Sequence, residues 1–160
     1  MRRKELEIND TSKIQEILDQ CDVCRIGMLD GDRPYVVPMS FGYHYNNGIF
    51  EFYFHGNNAG KKVELLKQSN TVCLEFDTNC EIVGGENACS YSTFYQSVIA
   101  YGKPVFFADG EKAEGLNILM SQYSKRTDFT YPEKMLQSMA VYKVVVNEIT
   151  AKEHKKPSAM

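Results

Sequence analysis

Residues 23–55 read VCRIGMLDGDRPYVVPMSFGYHYNNGIFEFYFH. Cys24, Ile26 and Met28 alternate with other residues over Val23–Leu29, which predicts a strand, and Pro34–Tyr43 predicts a second. The DGDR segment at residues 30–33 joins them, because Asp-Gly accepts the positive φ that a tight hairpin requires. NNG at residues 46–48 is another such turn and leads into a third strand, Ile49–His55. Successive hairpins without crossover helices point to an antiparallel sheet and away from a doubly wound α/β fold. Pro38 lies inside the second strand, where its missing N–H restricts it to an edge or a bulge.

Outward from this stretch, Ser12 and Gln15 form a capping box for a helix whose apolar face is Ile14, Ile17, Leu18 and Cys21. A second helix is expected over Gly60–Gln68, then a strand over Thr71–Phe76 and a loop or bulged connection over residues 78–89. Tyr91–Ala108 reads as two paired segments bent at Gly102-Lys103-Pro104. Helices over Glu111–Tyr123 and Pro132–Met139 precede a last strand, Ala140–Ile149. The expectation is a mainly β protein with peripheral helices, its six antiparallel strands curled into a small barrel that removes exposed edges. One domain is expected over residues 1–150, followed by a polar tail at 151–160 that frays from Lys152.

The 160 residues are 43% hydrophobic and 24% charged, which suits one globular domain. A formal charge of −3 argues against nucleic acid as a partner. No apolar run approaches the ~20 residues of a membrane span. MRRKELEIND lacks the apolar segment of a secretory signal, and five cysteines in largely apolar contexts read as reduced thiols, so a cytoplasmic location is expected. Cys21 and Cys24 have C-x-x-C spacing but no second ligand pair, so no metal site is expected and the thiols read as buried and structural. His44 and His154 have no chemical context, Glu75 and Asp77 read as surface charges, and no G-x-S-x-G nucleophile is present.

Residues 54–67, FHGNNAGKKVELLK, carry the chemical signal. A strand ends at His55, the chain loosens through Gly-Asn-Asn-Ala-Gly, and Lys61 and Lys62 open a helix. This is not the Walker loop: Gly56 and Gly60 enclose three residues instead of four, and Lys62 stands where the hydroxyl that binds magnesium belongs. Free N–H groups at a helix start next to two lysines favour an anion. Two solvated lysines after an ordinary loop fit the same letters.

Taken together, RPYVVPMSFGY, FYFHGNNAGKK and FYQSVIAYGKP, in that order over roughly residues 1–150, resemble the FMN-binding split barrels related to pyridoxamine 5′-phosphate oxidase, and within them the 5-nitroimidazole resistance branch. The resemblance implies a homodimer with FMN at the subunit interface. It implies that Val36, Val37, Pro38 and Met39 lie along the flavin ring, partly through backbone contacts. Lys61 and Lys62 would hold the phosphate, His55 would stand near the ring as a candidate catalytic residue, and Ser97 would touch the flavin. Val37 falls where the true oxidases carry an arginine, and NEITAKEHKK lacks their arginine- and tryptophan-bearing segment, which counts against vitamin B6 oxidation. Tyr91 and Gln96 replace a tryptophan and an arginine common in the nitroimidazole branch. The expected function is reduction of small molecules such as nitro-aromatics by an FMN oxidoreductase. A non-catalytic flavin or haem binder, with His55 as haem ligand, and a deazaflavin F420 protein are the alternatives.

Overall fold

In the computed structural model, which describes residues 3–155, a two-residue strand β1 (Glu7–Ile8) precedes helix α1 (Thr11–Asp19). Strands β2 (Cys24–Asp30), β3 (Arg33–Met39), β4 (Gly42–Asn46) and β5 (Ile49–Asn57) follow, then helix α2 (Lys61–Gln68). Strands β6 (Val72–Val83) and β7 (Ser92–Phe106), helices α3 (Lys112–Ser121) and α4 (Glu133–Ser138), and strand β8 (Met139–His154) complete the order. The eight strands form one antiparallel sheet in the order β3-β2-β6-β7-β8-β5-β4, with β1 added to β8. The count is eight where six were expected.

One extra strand is the short β1 beside β8, and the other comes from a division. The run expected as a single strand, Pro34–Tyr43, divides at Ser40-Phe41 into β3 and β4, the two ends of the sheet path. Six antiparallel steps separate them, so they run in the same direction. A flat sheet would hold those edges about 29 Å apart. The three virtual bonds from Met39 to Gly42 reach at most about 11 Å. The sheet therefore curls until its edges nearly meet at Phe41, and no ladder joins β3 to β4 among the described residues. This is a barrel with a split wall. Gly42 makes the crossing possible, since a Cβ there would overlap the backbone of Ile118 and Leu119 in α3. As an edge strand, β3 also tolerates Pro34 and Pro38.

Other boundaries shift for local reasons. Asp10 caps α1 by accepting from the Ser12 N–H at 2.9 Å, so Ser12 lies inside the helix instead of starting it. Strand β6 continues past Phe76 to Val83 through a bulge between Thr78 and Glu81, where Asn79 takes φ 53°. Strand β7 is unbroken, and its expected bend appears as a register shift opposite Tyr101 and Gly102. Strand β8 passes the expected end at Ile149 and pairs with β7 as far as His154, with Ala151 in the core. Only 151–155 of the expected tail are described, and 151–154 belong to this strand; residues 156–160 lie outside the described residues.

The barrel interior holds Ile17, Leu18, Ile26, Phe41, Phe52, Phe76 and Val98, all fully buried. Phe76 centres the packing, 4.8 Å from Phe41 and 4.7 Å from Phe52 between ring centroids. Such side chains contribute roughly 1.5–3 kcal/mol each on burial. A smaller cluster of Leu116, Met139 and Val141, joined by Phe107, Tyr131 and Leu136, fastens α3 and α4 to the outside of the sheet. Cys21 and Cys24 are buried; burial pushes the Cys21 thiol up to about 12 and that of Cys24 well above its ordinary value, so both are inert thiols. Among the described residues no helix is long and apolar enough to cross a membrane.

Candidate functional site

Three chain ends converge beside the split: Met39 closes β3, Gly56 lies near the end of β5, and Lys62 stands in the first turn of α2. The Lys62 Nζ lies 2.9 Å from the Met39 Sδ. A Cβ at Gly56 would come within 3.0 Å of the same ammonium, so glycine there leaves room for it. Gly60 makes the entry into α2 with φ 114°, a left-handed value that favours glycine, and no side chain caps the helix. Lys62 is half-buried, and burial lowers its pKa. Among the described residues it has no carboxylate partner, and a thioether is a weak acceptor. Here a partly desolvated cation stands beside the N–H end of a helix.

Lys61 does something else. It forms an ion pair with Asp30 at the end of β2, which raises its pKa, and its ammonium lies 4.9 Å from the centre of the Tyr35 ring. Tyr35 and Met39, the β3 anchors of the two lysines, are about 13 Å apart along the strand. The two adjacent lysines thus differ in the free chain: Lys62 has no acidic partner among the described residues, and Lys61 is paired with Asp30.

His55 extends from the outer face of β5, opposite Val141 of β8. It is exposed, yet surrounding protein partly desolvates the ring; that desolvation, followed by the Lys62 charge, lowers its pKa. Both effects favour the neutral imidazole over the imidazolium.

On β3, Val36 and Pro38 face outward and Val37 and Met39 face the barrel, Val36 being 58% exposed and the latter two packed on the core. The far edge of β3 has no strand partner among the described residues, so its backbone groups are open to a ligand. Ser97 is on the outer face of β7, between Asp77 of β6 and Lys152 of β8. Strands β2 and β6 stand between it and β3, a spacing of about 14 Å. The fold thus gathers Met39, His55, Lys61 and Lys62 around one corner and leaves Ser97 outside it.

Several residues in this corner, and others behind it, escaped sequence reasoning. Asp30 was read only as part of a turn. Asn58 donates from its amide to the Gln137 carbonyl and ties the loop to the end of α4. Lys112, only 5% exposed, donates to the carbonyls of Leu136 (2.8 Å) and Met139 (2.7 Å) at that helix end and pairs with Asp109. Apart from the nearby Asp109, the partners lie far along the chain, so no local pattern marks these contacts. Elsewhere Gln96 is buried between Asn79 (2.6 Å) and Glu153 (2.6 Å), in a polar cluster at the β6 bulge, while Tyr91 is exposed.

A family model described as pyridoxamine 5′-phosphate oxidase matches residues 10–153. The chain is similar to the crystal structure of a candidate 5-nitroimidazole antibiotic resistance protein from Bacteroides thetaiotaomicron, with 35% identity, 92% of this chain and 86% of that chain covered, and a TM-score of 0.80. At fold level it also resembles the flavocytochrome Anf3 from Azotobacter vinelandii (21% identity, 98% and 73% covered, TM-score 0.81). The FAD and heme binding protein from Mycobacterium smegmatis is a further match in fold (17% identity, 96% and 76% covered, TM-score 0.82). No curated protein matches the chain.

Proposed function

This chain belongs to the pyridoxamine 5′-phosphate oxidase family, and on that premise we propose that it is an FMN-binding flavoprotein that reduces small electron-poor molecules such as nitro-aromatics. The observation that carries the reading is Lys62: a half-buried ammonium with a soft sulfur neighbour, at the uncapped start of α2, is built for a terminal phosphate. The residues present fit FMN, whose bound flavin supplies the electron-transfer chemistry. Lys62 and the first N–H groups of α2 would hold the phosphate, and the open edge of Val36–Met39 would offer backbone donors and acceptors to the ring. Lys62 would be offset by phosphate there, which removes the smaller of the two effects that lower the His55 pKa and would favour His55 as a proton donor to the reduced substrate. Val37, uncharged and packed on the core, supplies no phosphate contact, and vitamin B6 oxidation is not proposed. The substrate class is supported by the 35% identical relative named for 5-nitroimidazole resistance.

The reading includes a two-fold dimer. Leu29, Val36, Ile99, Tyr101 and Val105 expose an apolar outer sheet face, beside a groove of about 290 Å³ lined by Gly27, Pro34 and Cys73 among others. A second copy on that face would bring its Ser97 toward the first copy's β3 edge, a meeting that one chain alone does not make, and would exclude water from the ring. Mass spectrometry of the cofactor released from natively purified protein tests the core of the proposal, with FMN in a dimeric species as the expected result. Colourless protein whose addition leaves FMN fluorescence unchanged refutes it.

A further inference from the structure

We infer that Asp30 makes this corner selective for a single terminal phosphate over a diphosphate, and so for FMN over FAD, an inference that rests on Lys62 as the phosphate ligand. The two lysines are adjacent in sequence and differ in what they have left to give. Lys62 is committed only to a thioether, whereas Lys61 is committed to the Asp30 carboxylate and the Tyr35 ring. A monophosphate needs one cation and the helix N–H groups, and it finds both without disturbing anything. A second phosphate needs its own counter-charge. The other ammonium on this turn is reached only by breaking the Lys61–Asp30 pair and placing an anion against the released carboxylate. The surroundings do not help: Asp32 and Glu64 outnumber Arg33 by one, so with Lys61 neutralised by Asp30 the hairpin tip and the first turn of α2, Lys62 included, carry no positive surplus. Asp30 thereby removes the one charge that would reward a diphosphate.

The test is a fluorescence titration of FMN and FAD against wild type, Asp30→Asn and the double variant Asp30→Asn/Lys61→Ala. Wild type is expected to bind FMN more tightly than FAD. Asp30→Asn frees Lys61 and is expected to tighten FAD by about tenfold, the worth of one charge-assisted contact, while FMN changes less than about threefold. The double variant loses the FAD gain. The same relative change for both flavins in Asp30→Asn, or a gain that survives Lys61→Ala, overturns the inference and leaves the FMN reading standing. Absence of any flavin binding by wild type overturns both. Asp30 is half-buried at the end of β2, beside the hairpin tip, and unchanged circular dichroism of Asp30→Asn shows that its effect is not misfolding.

Discussion

Lys62 and Lys112 each take a positive charge out of full contact with water, and their surroundings differ in completeness. Lys112 meets two carbonyls and the Asp109 carboxylate, all within 2.8 Å. Lys62 meets one thioether. The first arrangement satisfies every donor an ammonium has, and its product is structure: the end of α4 is pinned to the start of α3. The second leaves donors unspent where a helix start also points its N–H groups. Burying a charge is costly unless it is paired, so an incomplete shell is retained only where something else completes it. The contrast is between a strut and the phosphate site proposed above.

The largest expected effect breaks the strut. Lys112→Met should leave the Leu136 and Met139 carbonyls without their donor, at about 1–3 kcal/mol for a buried acceptor, and lower the unfolding free energy by about 3 kcal/mol in urea. The variant that still folds should bind FMN with no more than a small loss, since Lys112 does not reach the phosphate corner. Unchanged stability would show that the carbonyls find water and that the strut is ornamental.

Lys62→Ala should do the reverse. It removes a partly desolvated cation that nothing offsets in the free chain, so unfolding free energy should change by no more than about 0.5 kcal/mol. FMN affinity should fall by about tenfold to a hundredfold, because a hydrogen bond to a charged group is worth roughly 1.5–3 kcal/mol. Riboflavin, without the phosphate, should bind both forms alike. Lys61→Ala should shift FMN less than about threefold, since the Lys61 charge is already spent on Asp30. Equal losses from the two lysines would restore the joint grip that their adjacency in sequence implied.

That adjacency shows how far the letters reach. The hairpins were legible because a period of two and the turn residues Asp-Gly and Asn-Gly are local signals. The passage from β3 to β4 was not. Tyr35, Val37, Met39, Phe41, Tyr43 and Tyr45 all pack on the barrel interior, so the alternation runs unbroken while the chain changes neighbours from β2 to β5. Only the crowding of Gly42 against α3 records the crossing, and it depends on a helix far downstream. The polar run after Phe76 likewise hid the rest of β6, because its pairing with β7 is satisfied by backbone and owes little to side-chain pattern. In the site, the lysines, His55 and the β3 edge were readable as residue types. Which lysine is free was not readable, since Asp30 and Met39 reach them across the fold.

The smallest effect sharpens the comparison through pH. In the folded chain, desolvation and the Lys62 charge hold the His55 pKa below 6.5, so as pH falls through that value the unfolded chain takes up the proton first. Protons bound in excess by the unfolded state make stability fall as pH falls. The contribution of His55 is therefore fully present above about 6.5, declines as pH drops toward the lowered folded value, and is constant below it. His55→Gln should flatten that segment of the stability curve without moving the neutral plateau. Lys62→Met should raise the imidazole titration observed by NMR, and FMN should raise it in wild type by offsetting the same charge. Since a ligand that raises a pKa binds more tightly to the protonated form, FMN affinity should increase modestly from pH 7.5 to pH 6 in wild type and less so in His55→Gln. An imidazole that titrates at its ordinary value in the free chain, and does not respond to FMN, would place His55 outside the field of Lys62 and confine the site to the phosphate corner.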